Sequence, residues 1–343
     1  MKKFLPIIFI LIFMGAIAFF ALNFIYSTED FVNNNQINQN AAVAGLFQPN
    51  KKENAQIIFF AVGDIMLDRG VEYKIKKEGG GDFNFPFLKI ADHLEKPDIL
   101  FGNLESVISN KGRKVGSINS FRADPKAAEG LTFAGFDIVS VCNNHTLDYT
   151  SEAMEDSFKR LEEAGVEYAG GGFNEEEAFS PKIVEAKNTK IGFLAYCNLG
   201  SKLWRAGEKS SGIAFVSDAD LEKIKEDIAE AKKQVDVLAV SFHWGDEYVS
   251  SPNSSQEKWG KAIIDAGADL VIGHHPHVVQ PVEKYNQGWI AYSLGNFIFD
   301  QSFSEETMQG LALEVKIEDK KIKEVHSKAI KMTDNFQPYF PAD

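Results

Sequence analysis

Cysteine is scarce in this sequence, which contains only Cys142 and Cys197 among 343 residues. Two cysteines do not make the disulfide framework by which small secreted domains are held together. Each of the two lies inside a hydrophobic run, where a free thiol behaves as a small apolar side chain. We therefore expect both cysteines to pack in a core rather than to form a bridge.

Positive charge is also in short supply, because 36 Lys and Arg residues stand against 49 Asp and Glu residues, a net charge of −13. A protein that binds nucleic acid needs a basic face that neutralises phosphates. The composition argues against such a partner and favours metal ions or other cations. With 44% hydrophobic and 25% charged residues, the chain is typical of a globular protein with a substantial core.

Charged side chains are absent from residues 4–22. A helix that rises ~1.5 Å per residue over this run is long enough to cross a ~30 Å hydrocarbon layer. Lys2 and Lys3 precede the run and Glu29 follows it, so the positive-inside rule places the bulk of the chain outside the cytoplasm. The alternative is a cleaved signal peptide, whose apolar region is only ~7–15 residues long. We expect an uncleaved, single-pass anchor in the cell membrane.

Composition and periodicity divide the chain into four parts: an anchor at 1–26, a polar linker at 27–54, a domain at 55–332 and a tail at 333–343. In the domain, β-branched and aromatic runs alternate with amphipathic charged stretches, which is typical of an α/β fold. The predicted strands are 56–62, 98–103, 137–143, 190–197, 235–242, 269–273 and 289–295. The predicted helices are 125–134, 151–164, 218–233 and 255–266, and residues 310–332 predict a hairpin.

Residue types that bind metals or transfer protons follow the carboxyl ends of several predicted strands. Open α/β sheets form their ligand crevice at that edge. We therefore expect these side chains to meet at one place. They are Asp64, Glu105, Asn144, His145, His243, His275 and His277.

Taken one at a time, most of these residues have a simpler interpretation. Asp64 could cap a helix over 65–77, and Glu105 could be a solvated loop carboxylate. Asn144 could belong to a polar turn, and His243 could be a core histidine with its hydrogen bonds satisfied. Only their recurrence at successive strand ends favours a common site.

Histidine is rare, with seven residues in the chain, yet three of them occur in the stretch GHHPHVVQ at 273–280. In an extended segment His275 and His277 would share a face, while His274 would point the other way. Pro276 restricts the backbone between them. Because crowded imidazoles and carboxylates are costly without a cation, this stretch indicates a metal site.

Six blocks in order over about residues 56–303 resemble the CapA family, which is associated with poly-γ-glutamate capsule synthesis. They are GDIMLDR, NLES, NNHTLDY, FHWGDEY, GHHPHVVQP and SLGNFIFD. The family's fold resembles the calcineurin-like metallophosphoesterases, which implies an α/β sandwich of two sheets flanked by helices, in four layers. The resemblance implies His145 as a catalytic residue. It implies as metal ligands Asp64, Glu105, Asn144, His243, His275 and His277.

The sequence departs from the metallophosphoesterase pattern in the first block, where Asp-x-His is replaced by Asp64, Ile65 and Met66. A thioether is a poor ligand for hard or borderline divalent ions, so one of two metal positions is weaker, differently built or empty. Asp68 is a candidate replacement. The oxygen and nitrogen donors suit one or two ions of Mn, Fe or Zn.

Two arginines are candidate anchors for an anionic substrate, because a guanidinium matches phosphate or carboxylate oxygens. We predict Arg69 as a catalytic anchor, although a structural ion pair is an equal alternative. For Arg122 a structural role is favoured.

Two functions of different class follow. The first is a membrane-anchored, extracytoplasmic CapA-like protein that handles an anionic polymer during capsule synthesis or export, beside other membrane subunits of that process. The second is a free-standing metal-dependent phosphoesterase or polymer hydrolase, in which paired ions bind an anionic substrate. A third, a binding module with a vestigial site, is supported only by Met66.

Overall fold

A computed structural model describes residues 56–115 and 118–342. The predicted anchor at 1–26 and linker at 27–54 lie outside these residues, so the division of the chain stays a prediction. Within the described ranges, no helix is both long and apolar enough to cross a bilayer.

Strands outnumber helices in the described part of the chain. The strands are β1 (Ile57–Ile65), β2 (Ile99–Leu104), β3 (Val107–Ile108), β4 (Arg122–Ala123), β5 (Ile138–Ser140), β6 (Glu167–Ala169), β7 (Gly171–Gly172), β8 (Lys182–Ala186), β9 (Thr189–Cys197), β10 (Gly212–Ile213), β11 (Val237–His243), β12 (Leu270–His274), β13 (Val282–Tyr285), β14 (Gly288–Ala291), β15 (Asn296–Ile298), β16 (Gln309–Glu318), β17 (Lys321–Met332) and β18 (Pro338–Tyr339). The α-helices are α1 (Arg69–Lys77), α2 (Ala91–Leu94), α3 (Ala127–Phe133), α4 (Thr150–Glu163), α5 (Glu175–Phe179), α6 (Leu221–Lys232) and α7 (Ser254–Asp265). Short 3-10 helices cover Phe85–Phe87, Lys202–Trp204, Asp218–Asp220 and Glu306–Met308.

The larger sheet has the strand order β18-β17-β16-β1-β2-β5-β6, and β15 also pairs with the end of β1. Strands β1, β2, β5 and β6 are parallel, whereas β16 and β17 form the antiparallel hairpin that the sequence predicted. The sequence of β1, IIFFAVGDI, is almost wholly buried, as expected of a central strand that is covered on both faces.

The smaller sheet has the order β13-β14-β12-β11-β9-β8, with a parallel centre formed by β9, β11, β12 and β14. The two sheets share one core. The ring of Phe193 in β9 lies 5.5 Å from Phe59 in β1 and 5.6 Å from Phe101 in β2, measured between centroids. These aromatic contacts place the two sheets face to face.

Helices cover the sheets. Trp259 of α7 is fully buried and its ring centroid lies 5.2 Å from Phe242 of β11. Phe158 of α4 stacks on Tyr168 of β6 at 4.5 Å. The mixed α/β class, with sheets and packed helices, is therefore confirmed.

The seven predicted strands and four predicted helices are all present with shifted ends. The strand predicted at 289–295 is β14, which ends at Ala291 because the chain then turns toward β15. Cys142 and Cys197 are both buried free thiols, as expected. The carboxyl ends of β1, β2 and β5 in one sheet and of β11 and β12 in the other bring the candidate site together.

Candidate metal centre

Asp64, near the end of β1, is buried at the middle of the site. Its Oδ1 accepts a hydrogen bond from Asn103 Nδ2 at 2.9 Å and lies 3.0 Å from His274 Nδ1. Its Oδ2 accepts from the backbone N–H of His275 at 3.3 Å and lies 3.4 Å from His277 Nδ1. Burial raises the pKa of Asp64, but the contacts with the two histidines outweigh it and hold the pKa well below its ordinary value.

The alternative in which Asp64 caps a helix is not what the structure has. Helix α1 begins after Asp68, whose Oδ1 accepts from the backbone N–H of Arg69 at 2.7 Å. Oδ2 of Asp68 accepts from the backbone N–H of Arg122 at 2.7 Å, so both oxygens already bind amides. Met66 is fully buried, and its sulfur accepts from the N–H of Asp68 at 3.2 Å. The sulfur of Met66 is thus bound by the backbone, and Asp68 is not among the carboxylates whose oxygens lie within ligand reach of the other donors.

Glu105 follows β2 and has no exposed surface. Its Oε2 accepts from Asn103 Nδ2 at 3.2 Å. Its Oε1 lies 3.6 Å from His277 Nε2 and 3.8 Å from His145 Nε2 and has no hydrogen-bond partner among the described residues. Burial, and then the charge of Asp64, raises the pKa of Glu105 well above its ordinary value. A cation beside Oε1 would relieve both effects.

His243 closes the site from β11. Its Nε2 lies 2.8 Å from Asn144 Oδ1, and its ring centroid lies 4.9 Å from that of His275. Burial, and then the nearby His275, lowers the pKa of His243 well below its ordinary value. Burial, and then His277, lowers the pKa of His275 to about 3. Both imidazoles are therefore neutral, which is the form that binds a metal.

The His-Pro-His stretch is a turn, which corrects the extended geometry that the sequence suggested. Strand β12 ends at His274, and the next histidines have left-handed backbones, with φ of 98° at His275 and 58° at His277. Such angles are strained for residues with a β-carbon and are typical of functional sites. Because strict alternation fails here, His274 contacts Asp64 instead of facing away.

Two groups of donors could each hold a divalent cation, since within each group the ligand atoms lie within 4.8 Å of one another. The groups are Asp64, Glu105 and His243, and Glu247, His275 and His277. Three buried polar atoms of this region have no hydrogen-bond partner among the described residues, namely Glu105 Oε1, His274 Nε2 and His275 Nδ1. An unpaired buried polar atom costs about 1–3 kcal/mol, and a cation can offset that cost by coordination. These residues therefore fit a divalent metal, whose identity and number stay predictions.

A cavity of about 340 Å³ opens beside the donors, and Asn144 and His277 line it. His145 also lines it, with Nδ1 2.7 Å from Asp148 Oδ2 and its ring stacked on Phe121 at 4.0 Å. The Asp148 contact occupies Nδ1, so Nε2 is the nitrogen available to a molecule in the cavity.

Arg69 stands at the rim of this cavity. Its guanidinium forms a two-point ion pair with Asp300, one contact of which joins Nε and Oδ2 at 3.1 Å, and lies 4.6 Å over the Phe121 ring. Arg122 instead donates to the backbone carbonyl of Lys111 at 2.9 Å and lies over Tyr149. Arg69 thus lies at the cavity, whereas Arg122 stabilises the loop that contains Lys111.

Two supporting residues were missed by sequence reasoning. Asn103 donates to both Asp64 and Glu105, and Asn296 Oδ1 lies 3.0 Å from His277 Nδ1. Such contacts orient metal-binding side chains. Both asparagines occur in blocks that the sequence singled out, NLES and SLGNFIFD, but their partners come from other strands.

Residues 58–301 match the family described as "Bacterial capsule synthesis protein PGA_cap". The chain belongs to this family. The family relationship inferred from the six blocks is therefore confirmed.

Relatives of this chain carry consistent names. It is 30% identical to the capsule biosynthesis protein CapA of Bacillus anthracis over 74% of this chain and 62% of the relative. It is 32% identical to the PGA biosynthesis protein CapA of Bacillus subtilis over 71% and 63%, respectively. A probable polyglutamine synthesis accessory protein of Mycobacterium tuberculosis is 26% identical over 64% and 60%. The chain therefore spans less than two thirds of the length of each relative.

Solved structures align with this chain at low sequence identity. A phosphatase from Mycoplasma pneumoniae aligns with a TM-score of 0.48 at 14% identity, covering 81% of this chain and 94% of that chain. The NAD nucleotidase of Haemophilus influenzae aligns with a TM-score of 0.45 at 9% identity, covering 84% and 60%.

Proposed function

We propose that this protein acts on the outer side of the cell membrane in the synthesis or export of an anionic surface polymer of the poly-γ-glutamate kind. We further propose that a divalent-metal site at the sheet edge serves this role. Family membership supports the first part, together with relatives named for capsule and PGA biosynthesis. The uncharged run at 4–22, with Lys2 and Lys3 before it, supports the anchored, extracytoplasmic location.

One observation supports the metal site above the others. Carboxylates and neutral imidazoles from separate strands are buried within reach of one another, while Glu105 Oε1 and His275 Nδ1 lack partners among the described residues. A fold does not retain such a cluster for stability, since desolvated polar groups are unfavourable unless something pairs with them. A cation of the Mn, Fe or Zn type satisfies both donor kinds.

The metal content of the full chain, purified in detergent, tests this proposal. We expect stoichiometric divalent metal in the wild type and a lower metal content in the His275→Ala, His277→Ala double variant, which removes two of the donors. The matched control removes two exposed histidines, His93→Ala with His326→Ala, and should retain the metal. Equal metal content in all three proteins would reject the site.

The location is tested separately. We expect the protein to sediment with membranes, to keep residues 1–26, and to be digested by protease added to cells whose wall has been removed. A protein that is recovered from the soluble fraction, or that resists external protease until the cells are lysed, would contradict the anchored location.

A second function, hydrolysis of a phosphoester or of the polymer itself, is favoured by the position of His145. A bound divalent cation would supply Lewis-acid polarisation of a substrate oxygen. With Nδ1–H donated to Asp148, the imidazolium form of His145 can give its Nε2 proton to a leaving oxygen in the cavity and return to the neutral ring. Arg69 at the rim can bind the anionic part of the substrate.

Turnover of aryl phosphate esters and of poly-γ-glutamate in the presence of Mn²⁺ tests this second function. His145→Ala should lower turnover by roughly 10²–10⁴-fold, the usual contribution of a general acid, with the metal still bound. His93→Ala is the control. Tight binding of the polymer with no metal-dependent turnover would leave only the accessory role.

A further inference from the structure

Glu247 lies in the loop after β11 and lines the cavity beside the metal centre. Its carboxylate can approach one nitrogen of His275 and one of His277, with all three ligand atoms within 4.8 Å of one another. Sequence reasoning did not place it in the site, although it occurs in the block FHWGDEY.

Backbone contacts tie the Glu247 loop to the histidine turn. The N–H of Tyr248 donates to the carbonyl of Pro276 at 2.8 Å. Gln280, which follows the turn, donates through Nε2 to the carbonyls of Val249 at 2.7 Å and Ser251 at 3.1 Å. The main chain on both sides of the loop is thereby fixed, so the position of Glu247 relative to the two histidines is built into the fold.

Gly245 allows the chain to enter this loop. Its φ is +89°, and a β-carbon built there would lie 2.7 Å from the side chain of Gln256. Gln256 in turn donates to Gln280 at 2.7 Å. Glycine is required at this position because it tolerates both the left-handed backbone and the close approach.

An exposed carboxylate alone does not make a metal site, but the histidine beside it provides an independent observation. His275 is only 7% exposed, and its Nδ1 has no partner among the described residues. The backbone of His275 is also strained, with φ of 98°. A strained residue that buries an unpaired nitrogen is typical of a ligand-binding site.

The first block provides no replacement on this side of the site. Met66 is buried with its sulfur bound to an N–H, and Asp68 belongs to neither group of donors. Glu247 is a carboxylate that faces the same cavity as His277, and Glu105 Oε1 lies 3.6 Å from His277 Nε2. Glu105 therefore belongs to the first group of donors and also lies beside His277 of the second group.

We infer that Glu247, His275 and His277 hold a second divalent cation beside the one held by Asp64, Glu105 and His243. Glu247 thus supplies the ligand that Met66 does not. This inference rests on the metal site of the proposed function. Two ions in such pairs stand ~3.5–4 Å apart, close enough for one carboxylate to contact both. One carboxylate and two imidazoles suit Mn, Fe or Zn.

The test is a Mn²⁺ titration of the metal-free full chain in detergent, by calorimetry and by electron paramagnetic resonance. The wild type should bind two Mn²⁺ and give the spectrum of a magnetically coupled pair. Glu247→Gln should keep the first ion and bind the second at least ~10-fold more weakly, a loss known even for residues that only support a ligand. The coupled spectrum should disappear.

Asp246→Asn is the matched control, because the neighbouring carboxylate accepts from Asn253 Nδ2 at 2.7 Å instead of joining the histidines. It should bind two coupled ions. Because Glu247 is exposed, the melting temperature of the metal-free Glu247→Gln protein should match that of the wild type, which verifies the fold.

The outcomes separate the two proposals. Two coupled ions of unchanged affinity in Glu247→Gln, or a wild type that saturates at one ion, would overturn the role of Glu247 and leave the first metal position standing. A wild type that binds no Mn²⁺ or any other divalent ion would overturn the metal part of the proposed function as well.

Discussion

Histidine and glutamate meet in two regions of this molecule under opposite conditions. In the hairpin of β16 and β17, His326 Nε2 lies 3.0 Å from Glu324 and both side chains are about half exposed. At the sheet edge, His275 and Glu105 are buried and each has an atom without a partner among the described residues. The polar atoms of the hairpin pair are satisfied by each other and by water, whereas the buried atoms need a ligand to satisfy them. The environment, not the residue type, distinguishes a site from a surface.

Acid should give the largest difference in stability between the buried sheet edge and the exposed hairpin. Burial, with His277 nearby, lowers the pKa of His275 from an ordinary 6.5 to about 3. Below pH 6.5 the unfolded chain takes up a proton that the folded chain does not, so stability is lost as the pH falls toward 3. For His275 the loss between pH 6.5 and about pH 4 is about 3 kcal/mol.

Urea unfolding of the metal-free protein over this pH range measures the effect. The wild type should lose stability more steeply than His275→Ala. The difference between the two curves reports His275 together with its lowering of the His243 pKa, while the raised pKa of Glu105 acts in the opposite direction in both proteins. His326→Ala in the hairpin should follow the wild-type curve. Parallel curves for wild type and His275→Ala would contradict the prediction.

Metal binding should give the second largest difference in stability between the two regions. A free cation at 100 times its dissociation constant stabilises the fold by about 2.7 kcal/mol when only the folded state binds it. We expect this gain by calorimetric melting of the wild type with Mn²⁺ against EDTA. The His275→Ala, His277→Ala protein should show a smaller gain, because only the donors Asp64, Glu105 and His243 remain, and the His93→Ala, His326→Ala protein should show all of it. An equal gain in both double variants would place the ion outside the sheet edge.

A smaller effect is expected from the residue that positions His145. Asp148 Oδ2 lies 2.7 Å from His145 Nδ1 and accepts from the N–H of Phe121 at 2.8 Å. If the protein hydrolyses esters, Asp148→Asn should reduce kcat by about tenfold, or about 1.4 kcal/mol, because an amide no longer fixes the imidazole tautomer. The pH profile of kcat should shift while metal content stays constant. An unchanged profile, or a loss of metal, would reject a positioning role.

Much of the fold could be predicted because its central strands are uniform in pattern. Strands β1, β9, β11 and β12 are continuous apolar runs, and the helices between them are amphipathic. The hairpin was also predicted from the sequence. In the structure its turn has left-handed residues at Asp319 and Lys320, with φ of 51° and 63°. The two-residue strands β3, β4, β7, β10 and β18 were not predicted, because two residues have no period and depend on distant partners.

The site could be predicted as a set of residues but not as a geometry. Polar residues after parallel strands must meet at one edge, which brings Asp64, Glu105 and His243 together. The reach of each histidine, by contrast, depends on the left-handed backbone at His275, and spacing does not reveal a turn of that kind. Asn103 and Glu247 were visible in the motif blocks, but only the folded chain gives them partners.

The smallest expected effect lies in the hairpin. Lys328 of β17 forms an ion pair with Glu314 of β16, with side chains 44% and 18% exposed, and its amino group also lies 5.2 Å from the Phe60 ring. A double-mutant cycle of Lys328→Ala and Glu314→Ala should give a coupling free energy of about 0.2–1 kcal/mol, because water and side-chain entropy oppose an exposed pair.

Salt should reduce this coupling, because the Debye length falls from about 10 Å at 0.1 M salt to about 3 Å at 1 M, and charges attract each other less as it shortens. The acid-induced loss at His275 should change little with salt, because that ring is shielded from solvent ions. Unfolding of the cycle proteins at both salt concentrations checks the contrast. A hairpin coupling well above 1 kcal/mol that resists salt would mean that burial does not set the two regions apart, and that paired charges stabilise this fold wherever they occur.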